Sequence, residues 1–248
     1  GGGGGGIFSS GTLTLTDSTV TGNSLEFYSS GGGGGILISG GTATMVGSTV
    51  TGNSNAQLCN PGGCMGGPGG GVNVSNGGTL TMSNSIVAGN TSGTDSDVSG
   101  AFAASSANNL IGDGTGMSGI TNGSNSNQVG TSGSPINPQL TAGGGGPTET
   151  EIPLPGSTAI CAGSAAAAAG AGITTDQRGV ALNAGGYCAS GSIDAGAVQT
   201  DYALSFTAQP SNVVQNATMR PAPAVTLDEN GAPFTASSSQ RPATGGTG

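Results

Sequence analysis

The sequence predicts an all-β fold: a right-handed parallel β-helix (β-solenoid) with an irregular C-terminal cap and a short β-strand tail. Three features predict it. Near-identical blocks recur along the chain, residues within each block alternate in polarity, and each block follows a glycine run and a short apolar strand.

The blocks read GTLTLTDSTVTGN from Gly11 to Asn23, GTATMVGSTVTGN from Gly41 to Asn53, and GTLTMSNSIVAGN from Gly78 to Asn90. They align without a gap. Such a unit cannot bury its own apolar face, and stacking one unit on the next solves the problem. Leu13 and Leu15 alternate with threonines, as do Met45 in the second copy and Leu80 and Met82 in the third. Successive side chains of a strand point to opposite faces, so each block has an apolar core face and a threonine face. β-Branched Thr and Val favour extended backbone. Glycine density and the lack of a helical apolar period disfavour helix.

Stacking in register predicts columns: Val20 on Val50 on Val87 inside, and Asn23 on Asn53 on Asn90 at a corner. Stacked asparagines satisfy their amides between neighbours. Gly22, Gly52 and Gly89 precede them, at a corner suited to unusual backbone angles. Asp17, Gly47 and Asn84 share one aligned position, which reads as a turn. Block lengths vary after the TGN corner, and insertions at one place map to one face of a stack. Leu25, Phe27 and Tyr28 lie in the first insertion, available to a sugar or partner or to a small apolar cluster of their own.

Composition excludes several functions. The chain has 248 residues, 53 of them glycine, with a net charge of −9 and no histidine or tryptophan. Mean hydropathy is near zero, whereas disordered chains combine low hydrophobicity with high charge. Arg178, Arg220 and Arg241 are the three cations, too few to neutralise a phosphate backbone or to hold an anionic membrane surface. No apolar run approaches the ~18 residues of a membrane span. The chain opens in mid-pattern and without Met, as expected of a processed or partial product.

Four cysteines allow three pairings. The expected pairs are Cys59–Cys64, closing an Asn-Pro-Gly-Gly turn, and Cys161–Cys188. Disulfides imply an oxidising compartment; zinc is disfavoured by the missing histidines and the wide spacings.

Catalytic signals are poor. Absence of histidine removes Ser-His-Asp and Cys-His arrangements. Glu149 and Glu151 could share a strand face, and glycoside hydrolysis uses a carboxylate pair, but Pro147, Pro153 and Pro155 surround them. The repeat blocks hold no Lys or Arg to act as the base of a lyase. Asp95 and Asp97 make a weak calcium candidate, since calcium wants six to eight oxygens. The Gly1–Gly6 run resembles a phosphate loop only in composition.

The chain divides into repeats over 1–146, a cap over 147–200, and a tail over 201–248. Ala101 to about Gly146 loses the strict repeat and reads as irregular final turns of the stack. Ala165 to Ala169 suits a short helical turn. In the tail, LSFTAQPSNVV and PAPAVTLDENGAPF are alternating segments, the second with an Asn230-Gly231 turn signal. Leu204, Phe206, Val225 and Leu227 are candidate assembly positions, because unpaired strands tend to pair with another chain.

Taken together, GGGGGGIFSSGTLTLTDSTVTGNS resembles the repeats of right-handed parallel β-helix surface proteins. NLIGDGTGMSGITNG, NPQL, GGPTET, LPGSTAICAG, TTDQRGV and SIDAGAVQ occur in the order seen in the choice-of-anchor Q domain of bacterial secreted proteins. Cys161 stands where that family usually has Asp, and Val198 where it usually has Phe. The tail resembles the start of a bacterial immunoglobulin-like repeat. These resemblances imply export and surface attachment, and no known reaction. The expectation is a non-catalytic structural or adhesive protein at the cell surface, a fibre subunit joining head to tail, with a polysaccharide-binding or polysaccharide-cleaving β-helix of pectin-lyase type as the rival. No cofactor is expected beyond the weak calcium candidate.

Overall fold

In the computed structural model of the chain, residues 3–25, 32–55, 58–60, 63–65, 67–93, 97–143, 146–182, 186–209, 212, 218 and 220–234 are described, with main chain only at 58–60 and 63–65. The fold is all-β. The first copy of the repeat supplies β1 (Ile7–Ser9), β2 (Thr12–Thr16), β3 (Thr19–Thr21) and β4 (Ser24–Leu25). The second supplies β5 (Ile36–Ser39), β6 (Thr42–Val46), β7 (Thr49–Thr51) and β8 (Ser54–Asn55). A hairpin of β9 (Leu58–Asn60) and β10 (Gly63–Met65) precedes the third copy, which forms β11 (Val72–Ser75), β12 (Thr79–Ser83), β13 (Ile86–Val87) and β14 (Thr91–Ser92).

Equivalent strands pair in parallel from copy to copy. Leu13 pairs with Ala43 and Ala43 with Leu80; Leu15 pairs with Met45 and Met45 with Met82. Val20 pairs with Val50 and Val50 with Val87. Each copy is thus one tier, and period-two alternation sends its aliphatic residues inward to one shared cluster. Met45, Val50, Met82 and Val87 are fully buried. Ile7, Leu13 and Leu15 of the first tier are only partly buried against the same cluster, because β1 and β2 each have one strand neighbour among the described residues.

Two further tiers follow where the repeat fades. The fourth holds β15 (Val98–Ala101) and β16 (Leu110–Ile111); the fifth holds β17 (Met117–Ser118) and β18 (Gln128–Val129). They extend two of the sheets to the orders β1-β5-β11-β15-β17 and β3-β7-β13-β16-β18. The irregular turns expected over 101–146 therefore carry in-register parallel strands as far as Val129.

The glycine run has a packing cause. A Cβ on Gly34 would lie 2.3 Å from the Gly70 carbonyl oxygen of the next tier, so no larger residue fits that turn. Gly22, Gly52 and Gly89 have φ of 69°, 64° and 73°, left-handed backbone that glycine adopts without strain. Asp17, Gly47 and Asn84 share the same conformation at φ 43°, 57° and 51°.

Residues 136–200 include β19 (Leu140–Ala142), β20 (Glu151–Pro153), β21 (Gly163–Ser164), the helix α1 (Ala165–Gly170) and β22 (Ser192–Ile193). Ser164 caps α1 by accepting from the Ala167 N–H. The segment expected to close the C-terminal end lies along a flank instead, across the outer face of the β3-β7-β13-β16-β18 sheet. Thr19 donates to Gln177, the Ala197 N–H donates to Thr49, the Gly196 N–H donates to the Asn84 carbonyl, and Gln128 donates to the Thr158 carbonyl. Between those points Ile86 and Leu110 pack against Leu140, Ala159 and Ala195. The reason is visible strand by strand: the outward position is Thr in β3 and β7 but Ile86 in β13 and Leu110 in β16. Those two side chains need cover, and burying each contributes roughly 1.5–3 kcal/mol.

The tail forms a three-stranded antiparallel sheet of β23 (Tyr202–Ala208), β24 (Ala224–Glu229) and β25 (Ala232–Pro233). Leu204 pairs with Leu227 and Phe206 with Val225. The expectation of strands left without partners is thereby corrected: these residues pair with each other. Asn230 and Gly231, at φ 49° and 75°, make the turn into β25.

Candidate functional site

Two columns of side-chain hydrogen bonds run down the tiers, on either side of the β3-β7-β13 strands. The first is the asparagine column. The main-chain N–H and the Nδ2 of Asn23 both donate to Asn53 Oδ1, at 3.1 and 2.9 Å. Asn53 donates in the same two ways to Asn90 Oδ1, at 3.0 and 2.9 Å. Asn90 donates both to Asp97 Oδ1, each at 2.8 Å. Every member passes donors in one direction, and the column ends on a carboxylate. Asp97 Oδ2 accepts from the Asp113 N–H at 2.7 Å. All recorded partners of this carboxylate are donors, which suits Asp and not Asn. Burial raises the Asp97 pKa above the ordinary carboxylate value, opposed by the hydrogen bonds from Asn90 and Asp113.

The second column was not anticipated from the repeats. The Ser18 N–H donates to Ser48 Oγ, the Ser48 N–H to Ser85 Oγ, the Ser85 N–H to Asn109 Oδ1, and the Asn109 N–H to Asn127 Oδ1. Asn109 Nδ2 also donates to Asn127 Oδ1, at 2.9 Å. The change from Ser to Asn hides the column from a search for identical letters. A fainter signal was present: SIVA from Ser85, NLIG from Asn109 and NQVG from Asn127 share a polar residue two before an inward aliphatic.

The expected sites fall as follows. Val20, Val50 and Val87 share one inward column, and Leu13, Leu15, Met45, Leu80 and Met82 belong to the same interior. Cys161 and Cys188 form a disulfide, with Cα atoms 5.2 Å apart. Cys59 and Cys64 are paired opposite each other in the main chain; their side chains lie outside the described residues. Phe27, Tyr28 and Asp95 lie outside them too, and Leu25 sits in β4 beside Asn55. Asp97 accepts N–H donors at both oxygens, and Asp95, its partner in the calcium candidate, lies outside the described residues. Cys161, Cys188 and Asp194 gather within 4.8 Å, but the sulfurs are joined to each other and not offered to a metal. Asp194 accepts from the Cys161 and Thr200 N–H groups, and burial raises its pKa against those bonds.

A cleft of about 530 Å³ lies beside the first ladder, between Thr21 and Thr51 of the tiers and Ile136 and Pro138 of the flanking segment. Asp97, Asp113 and Glu151 all border it. Glu149 stays outside β20, so the two glutamates do not share a strand. Burial, and then the neighbouring Glu149, raise the Glu151 pKa.

Arg178 ties the tail to the flank. Its guanidinium pairs with Asp176 at 3.0 Å and Glu229 at 3.1 Å, and its side chain is only 2% exposed. Burial works against its charge, but hydrogen bonding to Glu229 and the charges of Asp176 and Glu229 raise its pKa overall. Tyr202 donates to the Pro153 carbonyl at 2.7 Å and meets Phe234 edge to face. Beyond this anchored end, Leu204, Phe206 and Val225 are 72%, 52% and 57% exposed.

No known protein family, curated protein or solved structure matches this chain. No described helix is long and apolar enough to cross a membrane.

Proposed function

We propose that the chain is a segment of a right-handed parallel β-helix that serves as a structural or adhesive module outside the cell. The carrying observation is the continuity of the side-chain columns: four residues from Asn23 to Asp97 and five from Ser18 to Asn127, linked by hydrogen bonds at every step. Such columns use polar side chains to hold tiers in register, which is what a stiff spacer needs. Parallel strands joined by crossovers strongly favour the right hand. The Cys161–Cys188 disulfide supports an oxidising location. The resemblance of 109–198 to a choice-of-anchor Q domain, and of the tail to an immunoglobulin-like repeat, supports export and surface attachment.

The test is small-angle scattering and negative-stain microscopy of the purified chain, joined to a polysaccharide panel with product detection. Five stacked tiers at ~4.8 Å make a stack only ~24 Å tall, so the expected outcome is a compact monomer whose scattering fits that stack with the flank docked, releasing no reducing or unsaturated sugar ends. Scattering that this arrangement cannot fit, or released sugar ends, overturns it.

A second reading has one specific observation behind it, the 530 Å³ cleft bordered by Asp97, Asp113 and Glu151. Carboxylates and threonine hydroxyls suit the hydroxyls of a neutral polysaccharide. Saturable glycan binding, abolished by Glu151→Ala, would favour it.

A further inference from the structure

We propose that the cleft between the tiers and the flank holds a sugar unit with a free, protonated amino group, the unit of a hexosamine polymer. The inference rests on reading that cleft as a glycan site and goes beyond it by fixing the charge of the ligand.

The three carboxylates that border the cleft are not equivalent. Asp97 accepts from Asn90 at one oxygen and from the Asp113 N–H at the other, so its role is to end the asparagine column. Asp113 is 4% exposed. Its Oδ1 accepts the Thr115 N–H at 2.9 Å, and no described group donates to Oδ2, which is left to the cleft that Asp113 lines. Glu151 is half-buried on β20, and its carboxylate takes no hydrogen bond from a described group. Two carboxylates on one cleft thus lack donors, and a buried acceptor without a donor is costly. The protein's own cations do not answer them. The chain has three, all arginine. None lines the cleft, and Arg178 is held by Asp176 and Glu229.

The rest of the wall selects what carries the positive charge. Thr21 and Thr51 border the cleft with hydroxyls that donate to no described group, and Ile136, Pro138 and Leu140 give it an apolar side. Its volume of about 530 Å³ falls within the range of roughly 300–1,000 Å³ common for small-molecule sites, far more than a bare metal ion fills. A hexosamine unit has the matching parts: an ammonium for Asp113 and Glu151, hydroxyls for the threonines, and a C–H face for the apolar side. A charge-assisted hydrogen bond is about twice as strong as a neutral one. The same carboxylates repel a uronic-acid polymer, and the net charge of −9 repels it at longer range.

The experiment is calorimetric titration of the full chain, at mildly acid pH, with tetrasaccharides of glucosamine, N-acetylglucosamine and glucose. Expected is saturable binding of the glucosamine tetrasaccharide, at least tenfold tighter than either uncharged one. Asp113→Asn and Glu151→Gln should each weaken it about tenfold, the effect of losing one hydrogen bond to a charged group. Asn at 113 keeps an oxygen for the Thr115 N–H, and thermal melting checks that the variant folds. Should it not, Glu151→Gln carries the test, because that side chain is only half-buried. Equal binding of the three sugars, or preference for an uncharged one, overturns the inference and leaves the glycan reading standing. Binding of none overturns both. Binding that neither variant weakens, or a lysine tetrapeptide that binds as tightly as the sugar, also overturns the inference.

Discussion

Asp97 Oδ1 accepts both the main-chain N–H and the carboxamide of Asn90, each at 2.8 Å. A column of neutral amides thus discharges onto a single buried carboxylate. Its other oxygen takes the Asp113 N–H, so every recorded hydrogen bond to this side chain is an accepted one.

Replacing Asp97 by Asn is nearly isosteric yet turns one acceptor into a donor. An NH₂ would then face the Asp113 N–H or the donors of Asn90. Leaving a buried donor unsatisfied costs about 1–3 kcal/mol. We expect Asp97→Asn to lower stability by that amount at pH 7, read from the midpoint of urea unfolding. The converse change, Asn53→Asp, should cost at least as much. It removes the Nδ2 group that donates to Asn90 Oδ1 and to the Val20 and Thr51 carbonyls, leaving only the main-chain N–H on Asn90. A neutral result for both would show that the column adds nothing to stability.

Arg178 should hold the tail sheet to the flank. Breaking a buried pair by removing one partner costs about 3–5 kcal/mol, because the other charge is left uncompensated. Arg178→Gln leaves Glu229 buried beside β23 without its guanidinium. We expect faster amide exchange over Tyr202–Ala208 and Ala224–Glu229, with β5 to β7 unchanged. Uniform acceleration throughout the chain would show that Arg178 supports the whole fold and not the tail alone.

The Cys161–Cys188 disulfide should act on the flank alone. Its partners are 27 residues apart, and closing a loop of that size stabilises by about 3–4 kcal/mol on the chain-entropy account. Both cysteines adjoin Asp194, which fastens the flank through Cys161 and Thr200. Replacing both by Ser should expose Ile86 and Leu110 first. Increased dye binding to apolar surface at a temperature where the tiers stay folded checks this. Loss of all structure in one step would contradict it.

The tiers were legible in the sequence where letters repeat. Val20, Val50 and Val87 align by identity, and the structure pairs those same residues. The lower tiers were not legible, because their contacts conserve chemistry and not letters. The column changes from Ser85 to Asn109, and the spacing falls to 24 and then 18 residues. The flank was hidden for a different reason. Its docking depends on outward Ile86 and Leu110, and in each strand those positions are one letter amid a pattern dominated by the inward face. The acidic cleft joins Asp97, Asp113 and Glu151 only through that docking, so no local spacing announces it.

The same docking sets the pH response. Burial, and then the charge of Asp176, raise the Asp17 pKa to about 7. The folded state therefore binds this proton more tightly than the unfolded chain, whose aspartate sits near its ordinary value of 3.8. With more protons bound when folded, stability falls as pH rises. Asp17 thus favours the fold fully below about pH 4, and this contribution is lost as pH climbs towards 7. Asp97, Glu151 and Asp194 are shifted the same way, so they add to the slope. Asp17→Asn isolates one share of it. Asn84 already occupies the equivalent left-handed position, so the substitution fits the backbone. We expect the unfolding midpoint of the variant to exceed that of the parent at pH 8, and the two to converge near pH 4. A variant whose stability follows that of the parent at every pH from 4 to 8 would show that Asp17 is solvated in the folded state.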